Sequence, residues 1–317
     1  MKVLFIANIN SSHTSKWAFA LQEKGISVAI VSLVPAKHTN EAWFKKLDAF
    51  YSVPFRSKFL FQYPGAIKAI KKIMRTFNPD IIHSHYLTNH TFTAAFMRLH
   101  PHVSTAWGSD VYLFPKKNFL TRLMLRLNLK ASDRIISTSH VMACELEQYT
   151  QKKIDIIPFG IDLTRFKYVQ EKRIQTGSAV RIGCFKLLEK IYAPEILLQS
   201  FARLRTKLSG INLQLMIVGS GSLLEDCRKL ANDLNIASHV DFKGWVEPVN
   251  VPVLLSEMHL CVYLSRNESF GVSLLEAMAC GVPLVVTRTP GFIEVSGTEE
   301  CVSFVNFDDP DDTAGCL

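Results

Sequence analysis

The chain of 317 residues predicts an α/β protein made of two doubly wound, parallel-sheet domains. Three observations predict it. Short apolar runs alternate with helical patterns along both halves of the chain. The length suits two domains of roughly 150 residues each. Hydrophobic residues make up 48% of the chain against 20% charged, enough for two separate cores.

In the first half the strand-like runs are residues 2–7, 27–33, 80–84, 103–107, 134–137 and 155–158. Helical patterns at 14–24 and 63–77 lie between them. Gly25 stops the first helix. Asn78-Pro79 ends the second, because the residue before proline avoids helical backbone. Such β-α alternation makes parallel strands. The second half repeats the pattern, with strands at 179–184, 214–218, 240–243, 260–264 and 283–287. Its helices fall at 195–208, 222–234 and 272–280. The stretch 163–178 is polar and weakly periodic, so the junction belongs there, dividing domains 1–165 and 166–317.

Seven cysteines are scattered without a CxxC or a Cys/His pairing, which argues against a disulfide framework or a zinc site and for a reducing compartment. The opening apolar run is too brief for a signal peptide and reads as a first buried strand. No run reaches the roughly 20 apolar residues of a membrane span. Charge is uneven: residues 1–170 carry 23 Lys/Arg against 10 Asp/Glu, and the remainder is mildly acidic. A basic half of this kind meets something anionic. No nucleic-acid-reading motif accompanies it, which leaves an anionic membrane surface as the partner. Residues 116–130 are basic and rich in long apolar side chains. They form a helix that lies on such a bilayer or packs its apolar positions into the core.

Residues 264–287 read as strand, loop, helix, Gly-Val-Pro turn and strand. Gly271 lets the backbone approach a ligand closely. The peptide groups of Phe270, Gly271, Val272 and Ser273 open the helix. Such an end carries unpaired donors and a partial positive charge, which suits a diphosphate. Glu268 precedes this helix and Glu276 lies about one turn inside it. Both would repel a phosphate that they touched. They fit neutral hydroxyls on either side of it, a sugar and a ribose. The spacing by itself also suits an exposed helix that merely carries two acids.

The surrounding Ser-Phe-Gly, Glu-Ala-Met-Ala and Gly-Val-Pro text resembles the Glu-x7-Glu signature of glycosyltransferase family 4, retaining enzymes of the GT-B fold. Other segments are similar in the same order: 78–85 (Asn-Pro-Asp-Ile-Ile-His-Ser-His), 157–166 (with Phe159 in the place of Asn), 217–222 and 240–246. The resemblance implies two Rossmann-like domains facing a cleft, the first on the acceptor side and the second binding a nucleotide sugar. It assigns Glu268 to the donor sugar and Glu276 to the ribose. It adds Gly219, Gly221, Val246, Ser269, Phe270, Gly271, Val272, Ser273 and Gly291 to the donor site. Pro290 removes one amide donor beside Gly291. Glu294 touches the donor or caps a helix.

The family works without a bound metal and places a basic pair after the first strand of its second domain. Lys186 and Lys190 hold those places, in a Lys-Ile-Tyr-Ala context where Lys-Gly is usual. A cation there stabilises charge on a departing diphosphate; the other reading of each is a solvated surface lysine. Asp110, in Trp-Gly-Ser-Asp, completes the catalytic set by orienting a sugar, or else caps its own turn. On the acceptor side stand Ser11, His13 and His85. Ser11 and Ser12 replace a Gly-Gly and equally suit a helix cap. His83 and His85 share one strand face, and a core role fits one of them.

The implied activity is retaining, hexosyltransferase-type transfer from a nucleotide-diphosphate sugar, needing no further cofactor. The acceptor hydroxyl is lipid-linked or saccharide, as in surface polysaccharide, lipopolysaccharide or glycolipid synthesis. The implied location is cytoplasmic, peripheral on the inner face of the membrane. The alternatives are a non-catalytic nucleotide-sugar-binding remnant and a sugar-nucleotide epimerase of the same fold. The remnant is motivated by the short C-terminal region: an Asp-Pro helix start at 309–310 leaves few residues, where family members continue with further helices.

Overall fold

The computed structural model describes residues 1–36, 45–52, 63–168, 179–297 and 299–317. The chain divides into two compact units, Met1–Phe159 and Gly160–Leu317. The division falls a few residues ahead of the expected boundary. Much of the expected junction, 169–178, lies outside the described residues.

Unit 1 carries a sheet ordered β3-β2-β1-β4-β5-β6-β7, every pairing parallel. The strands are β1 (Lys2–Ile6), β2 (Ser27–Ser32), β3 (Ala49–Ser52), β4 (Ile81–His85), β5 (His102–Thr105), β6 (Arg134–Ser137) and β7 (Ile154–Ile156). The helices are α1 (Ser12–Gln22), α2 (Tyr63–Phe77), α3 (Asn89–Phe96), α4 (Ser109–Tyr112), α5 (Phe119–Ala131) and α6 (His140–Glu147). β1 shows why the central strands read as unbroken apolar runs. Val3 and Phe5 join a core with Ala18 of α1, whereas Leu4 and Ile6 join one with Ile70 and Ile73 of α2. A strand covered by helices on both faces has no polar side to alternate with.

Unit 2 carries a second parallel sheet, ordered β10-β9-β8-β11-β12-β13. Its strands are β8 (Val180–Phe185), β9 (Leu213–Val218), β10 (Val240–Gly244), β11 (Leu260–Tyr263), β12 (Leu284–Thr287) and β13 (Val302–Val305). Its helices are α7 (Pro194–Lys207), α8 (Leu224–Asp233), α9 (Val251–Ser256), α10 (Val272–Ala279), α11 (Pro290–Ser296) and α12 (Pro310–Cys316). One continuous core joins the sheet to α7, α8, α10 and α11 through Phe201, Cys227, Leu274 and Phe292.

Both sheets reverse direction once. In unit 1 the reversal lies between β1 and β4, in unit 2 between β8 and β11. Loops leaving such a point diverge and open a crevice at the carboxyl ends of the strands, where open α/β sheets bind ligands. Two elements of the sheets were not anticipated: the edge strands β3 and β13, each of four residues. The basic segment begins its helix at Phe119, not Lys116. Asn118 and Thr121 form a capping box, with the Asn118 side chain accepting from the Thr121 amide at 3.0 Å. Among the described residues no helix is long and apolar enough to cross a membrane.

Candidate active site

In unit 2, Lys186 follows the last residue of β8 and Glu268 lies in the loop after β11, the two strands that flank the reversal. Their side chains meet there. Lys186 Nζ lies 2.5 Å from Glu268 Oε2, and the two side chains are only 12% and 11% exposed. Three rings surround the ammonium, Tyr192 at 4.9 Å, Phe292 at 5.5 Å and Tyr263 at 5.7 Å. Ser265 Oγ donates to the same Glu268 oxygen at 3.3 Å. Burial is the largest influence on Lys186 and pulls its pKa down. The neighbouring Glu268 carboxylate and the Tyr192 hydroxyl together outweigh it, so the net shift is upward and the side chain stays an ammonium.

The start of α10 adjoins this pair. Its N-cap is Gly271, at φ 93°, a backbone conformation that favours glycine. A Cβ there would come within 2.8 Å of the Phe292 ring. With no side chain at the cap, the first-turn amides have no side-chain acceptor. Ser273 Oγ is buried without a hydrogen-bond partner. Glu276 sits half-buried one turn further on. A Cβ on Gly291 would overlap the Glu268 carbonyl oxygen, so this glycine lets the Glu268 loop rest on the start of α11. Thr287 Oγ1 secures the same loop by donating to the Ser265 carbonyl at 2.7 Å.

Gly219 and Gly221 are placed by backbone packing. A Cβ on either would overlap a carbonyl oxygen, of Lys186 or of Leu188 respectively. Glu189 clamps the same two loops together, accepting from Ser222 N at 2.9 Å and Ser222 Oγ at 2.6 Å. These glycines therefore position Lys186. Val246, beyond β10, is half-buried against the core. Lys190 is exposed and lines a cavity of about 270 Å³ with Glu195, Leu223, Asp226, Cys227 and Leu230. The expected basic pair is thus represented at Glu268 by Lys186, and Lys190 stands apart from it.

At the reversal in unit 1, His85 ends β4 fully buried. Its ring lies 4.5 Å from Phe5, 4.5 Å from His83 and 5.0 Å from Trp107, centre to centre. His13 stacks on Phe159 at 4.1 Å. Burial holds all three imidazoles neutral, pulling His13 to about 4, His83 to about 3 and His85 well below its ordinary value. His83 Nε2 pairs with Thr105 Oγ1 at 2.7 Å, so it is a satisfied core histidine. Both ring nitrogens of His85, and Nδ1 of His13, are buried without a partner.

Two residues take the structural alternatives that their motifs left open. Ser11 caps α1, accepting from His13 N at 3.3 Å. Asp110 is fully buried, and its carboxylate accepts from Leu87 N at 2.7 Å, Gly108 N at 2.8 Å and Trp107 N at 3.1 Å. Burial raises its pKa, partly offset by those amides. Its oxygens are thus held by the amides of the loop that joins β5 to α4, the turn-capping alternative. Beside that loop a cavity of about 400 Å³ is lined by Tyr86, Thr88, Asn89, Ser109, Leu113, Phe114 and Lys117.

Sequence reasoning missed Tyr192, Tyr263, Ser265 and Thr287 around the ion pair. Tyr263 offered a signal, a polar-tipped residue closing an apolar strand at the sheet reversal. Tyr192 and Ser265 lie in connections and Thr287 ends β12, and their convergence depends on the fold.

Two parallel-sheet units of this kind match the GT-B fold of solved structures. Sucrose-phosphate synthase from Thermosynechococcus elongatus superposes with a TM-score of 0.80 at 18% identity, covering 99% of this chain and 88% of that one. A structure of Anabaena HepE in complex with UDP and glucose gives 0.78 at 14% identity, covering 100% and 88%. The family profile Glycosyl transferase 4-like matches residues 2–139, and Glycosyl transferases group 1 matches residues 176–315. The chain belongs to the group 1 glycosyltransferases, family 4. Among curated relatives, N-acetyl-alpha-D-glucosaminyl L-malate synthase of Bacillus anthracis is 28% identical over 265 residues, 78% of this chain and 67% of that protein. D-inositol 3-phosphate glycosyltransferase of Arthrobacter sp. (strain FB24) is 29% identical over 239 residues, 67% of this chain. The match spans little more than half of that relative, 55%.

Proposed function

We propose that the protein is a retaining glycosyltransferase that moves a sugar from a nucleotide-diphosphate sugar to a hydroxyl acceptor without a metal. The observation that carries this reading is the Lys186–Glu268 pair at the start of α10. The diphosphate sits on the first-turn amides of α10, where unpaired donors and the helix dipole favour an anion. Its arrival supplies Lys186 with a second anionic partner. Glu268 then turns to the hydroxyls of the transferred sugar, and Glu276 holds the ribose. The acceptor hydroxyl attacks from the face that the diphosphate leaves, and the departing oxygen takes its proton. Lys186 stabilises the charge that builds on that oxygen. No protein nucleophile is required.

The acceptor belongs with unit 1, near the unpartnered imidazoles of His13 and His85. A lipid-linked or saccharide acceptor fits this arrangement, in surface polysaccharide, lipopolysaccharide or glycolipid synthesis. For a lipid-linked acceptor the protein works at the inner face of the membrane.

Glu276→Ala tests the donor assignment. Loss of hydrogen bonds to a carboxylate costs about 1.5–3 kcal/mol each, so uridine- or guanosine-diphosphate sugars should bind about tenfold to a hundredfold more weakly. Calorimetric titration of both donors reads this directly. Unchanged affinity for the donor that the parent protein binds would remove the ribose role from Glu276.

A further inference from the structure

The exposed face of α5 is unusual for a soluble surface. Phe119 is 73% exposed, Leu120 71%, Leu127 50% and Leu123 41%. At about 100° per residue these four fall within a single arc of roughly 100° on the helix. Arg122 and Arg126 occupy the adjoining arc, Lys130 falls in line with Phe119 and Leu123 at the far end of the helix, and all three are exposed. Leu125, Asn128 and Leu129 face inward and are fully buried. Asn128 Nδ2 ties the helix to the loop after β4, donating to the carbonyls of Leu87 at 3.0 Å and Thr88 at 3.1 Å. The outward leucines are therefore held outward by the docking of the opposite face. Just upstream, Leu113 is 48% exposed and Lys116 and Lys117 extend the basic margin. Residues 113–131 contain five Lys or Arg and no Asp or Glu.

We infer that this face of α5 docks on an anionic lipid bilayer, its leucines and Phe119 entering the acyl boundary while the cations meet lipid phosphates. Charge complementarity selects this occupant. Lys116 is already paired with Glu145 at 3.1 Å; a second copy packed symmetrically through the same face would still set eight further cations, Lys117, Arg122, Arg126 and Lys130 of each copy, around an apolar contact to which residues 113–131 bring no carboxylate. A bilayer accepts the apolar arc and supplies the missing anions. The inference rests on the proposed membrane-side acceptor only for its biological purpose; binding to lipid requires no turnover. The cavity lined by Tyr86, Ser109, Leu113 and Lys117 shares two of its walls with the approach to this face. Docking so arranged brings a lipid headgroup to the acceptor unit.

The test is flotation of the full chain with phosphatidylcholine vesicles, with and without phosphatidylglycerol. The protein should float with the anionic vesicles and not with the neutral ones, and should detach as salt is raised. Arg122→Gln/Arg126→Gln should weaken binding about twenty-fivefold, at about fivefold for each cation near an anionic surface. Leu120→Ser/Leu123→Ser should weaken it at least about tenfold through lost acyl contact. All four side chains are exposed, so thermal unfolding of both variants should match the parent. Equal flotation of parent and variants would overturn the inference. So would absence of flotation together with a dimer that dissociates in Leu120→Ser/Leu123→Ser. Donor affinity, measured on the same samples, should be unchanged in both variants. Its loss in the parent would indict the glycosyltransferase reading and leave the lipid result standing.

Discussion

Separating the two charges of the candidate site is the most informative perturbation. Glu268→Gln keeps the shape of the side chain and removes the counter-charge from an ammonium that is only 12% exposed. Breaking a buried pair by deleting one partner costs about 3–5 kcal/mol, because the remaining charge stays desolvated. Here the rings of Tyr192, Tyr263 and Phe292 stay in place around Lys186. Cation–π contacts of about 0.5–2 kcal/mol each soften the loss, so about 2–3 kcal/mol is expected. Lys186→Met strands Glu268 with Ser265 Oγ as its recorded donor, and about 3 kcal/mol is expected. The double variant Lys186→Met/Glu268→Gln leaves no charge behind. It should lose less than either single change suggests, giving a coupling energy of about 3 kcal/mol. The assay is urea unfolding of all four proteins followed by far-UV circular dichroism. Tryptophan fluorescence reports on unit 1 through Trp17 and Trp107, with Trp245 as the contribution of unit 2. Strictly additive losses, with coupling under about 0.5 kcal/mol, would refute a tight buried pair.

Other consequences can be checked in the same preparation. Gly291→Ala should destabilise unit 2 by about 1–3 kcal/mol through overlap with the Glu268 carbonyl. Gly210→Ala, where a Cβ meets nothing, is its control in thermal unfolding, and equal behaviour of the two would contradict the packing. Asp110→Ala strands three amides and should cost about 3 kcal/mol. A loss confined to unit 1, read by Trp107 fluorescence, would identify the loop as its origin, and an unaltered midpoint would argue against the cap. Stability should also fall in acid. His83 is held near 3, and His13, His90 and His102 near 4, all by burial. In the unfolded chain these groups titrate near 6.5, so there they bind protons first as pH falls. Their contribution is complete above about pH 6.5 and is lost as pH drops toward 4, at up to about 1.4 kcal/mol per pH unit for each histidine. Urea midpoints that stay flat between pH 7 and 5 would contradict the buried, neutral assignment.

The sequence by itself determined that the chain forms two parallel-sheet units. Runs such as Leu4-Phe5-Ile6 and Leu215-Met216-Ile217 have no polar alternation, and only strands covered on both faces read that way. It also marked residues 264–287 as the candidate donor site, through the Ser-Phe-Gly, Glu-Ala-Met-Ala and Gly-Val-Pro text around Glu268 and Glu276 rather than through the spacing of the two acids alone. Short edge strands such as β3 and β13 escaped notice, since a run of only four residues carries almost no periodic signal.

What only the tertiary structure decided is which charged residues meet. Lys186 and Lys190 are four positions apart and look equivalent in sequence. The carbonyl packing of Gly219 and Gly221 sends Lys186 to Glu268, while Lys190 lines a different cavity. Asp110 and Glu268 are likewise both loop acids that follow strands. One is consumed by three backbone amides and the other faces a lysine. Hydrogen bonds and ion pairs depend on distances of a few ångströms between residues as far apart in the chain as Lys186 and Glu268, 82 positions. Those distances are set by how loops converge at a sheet reversal, and local sequence does not encode them.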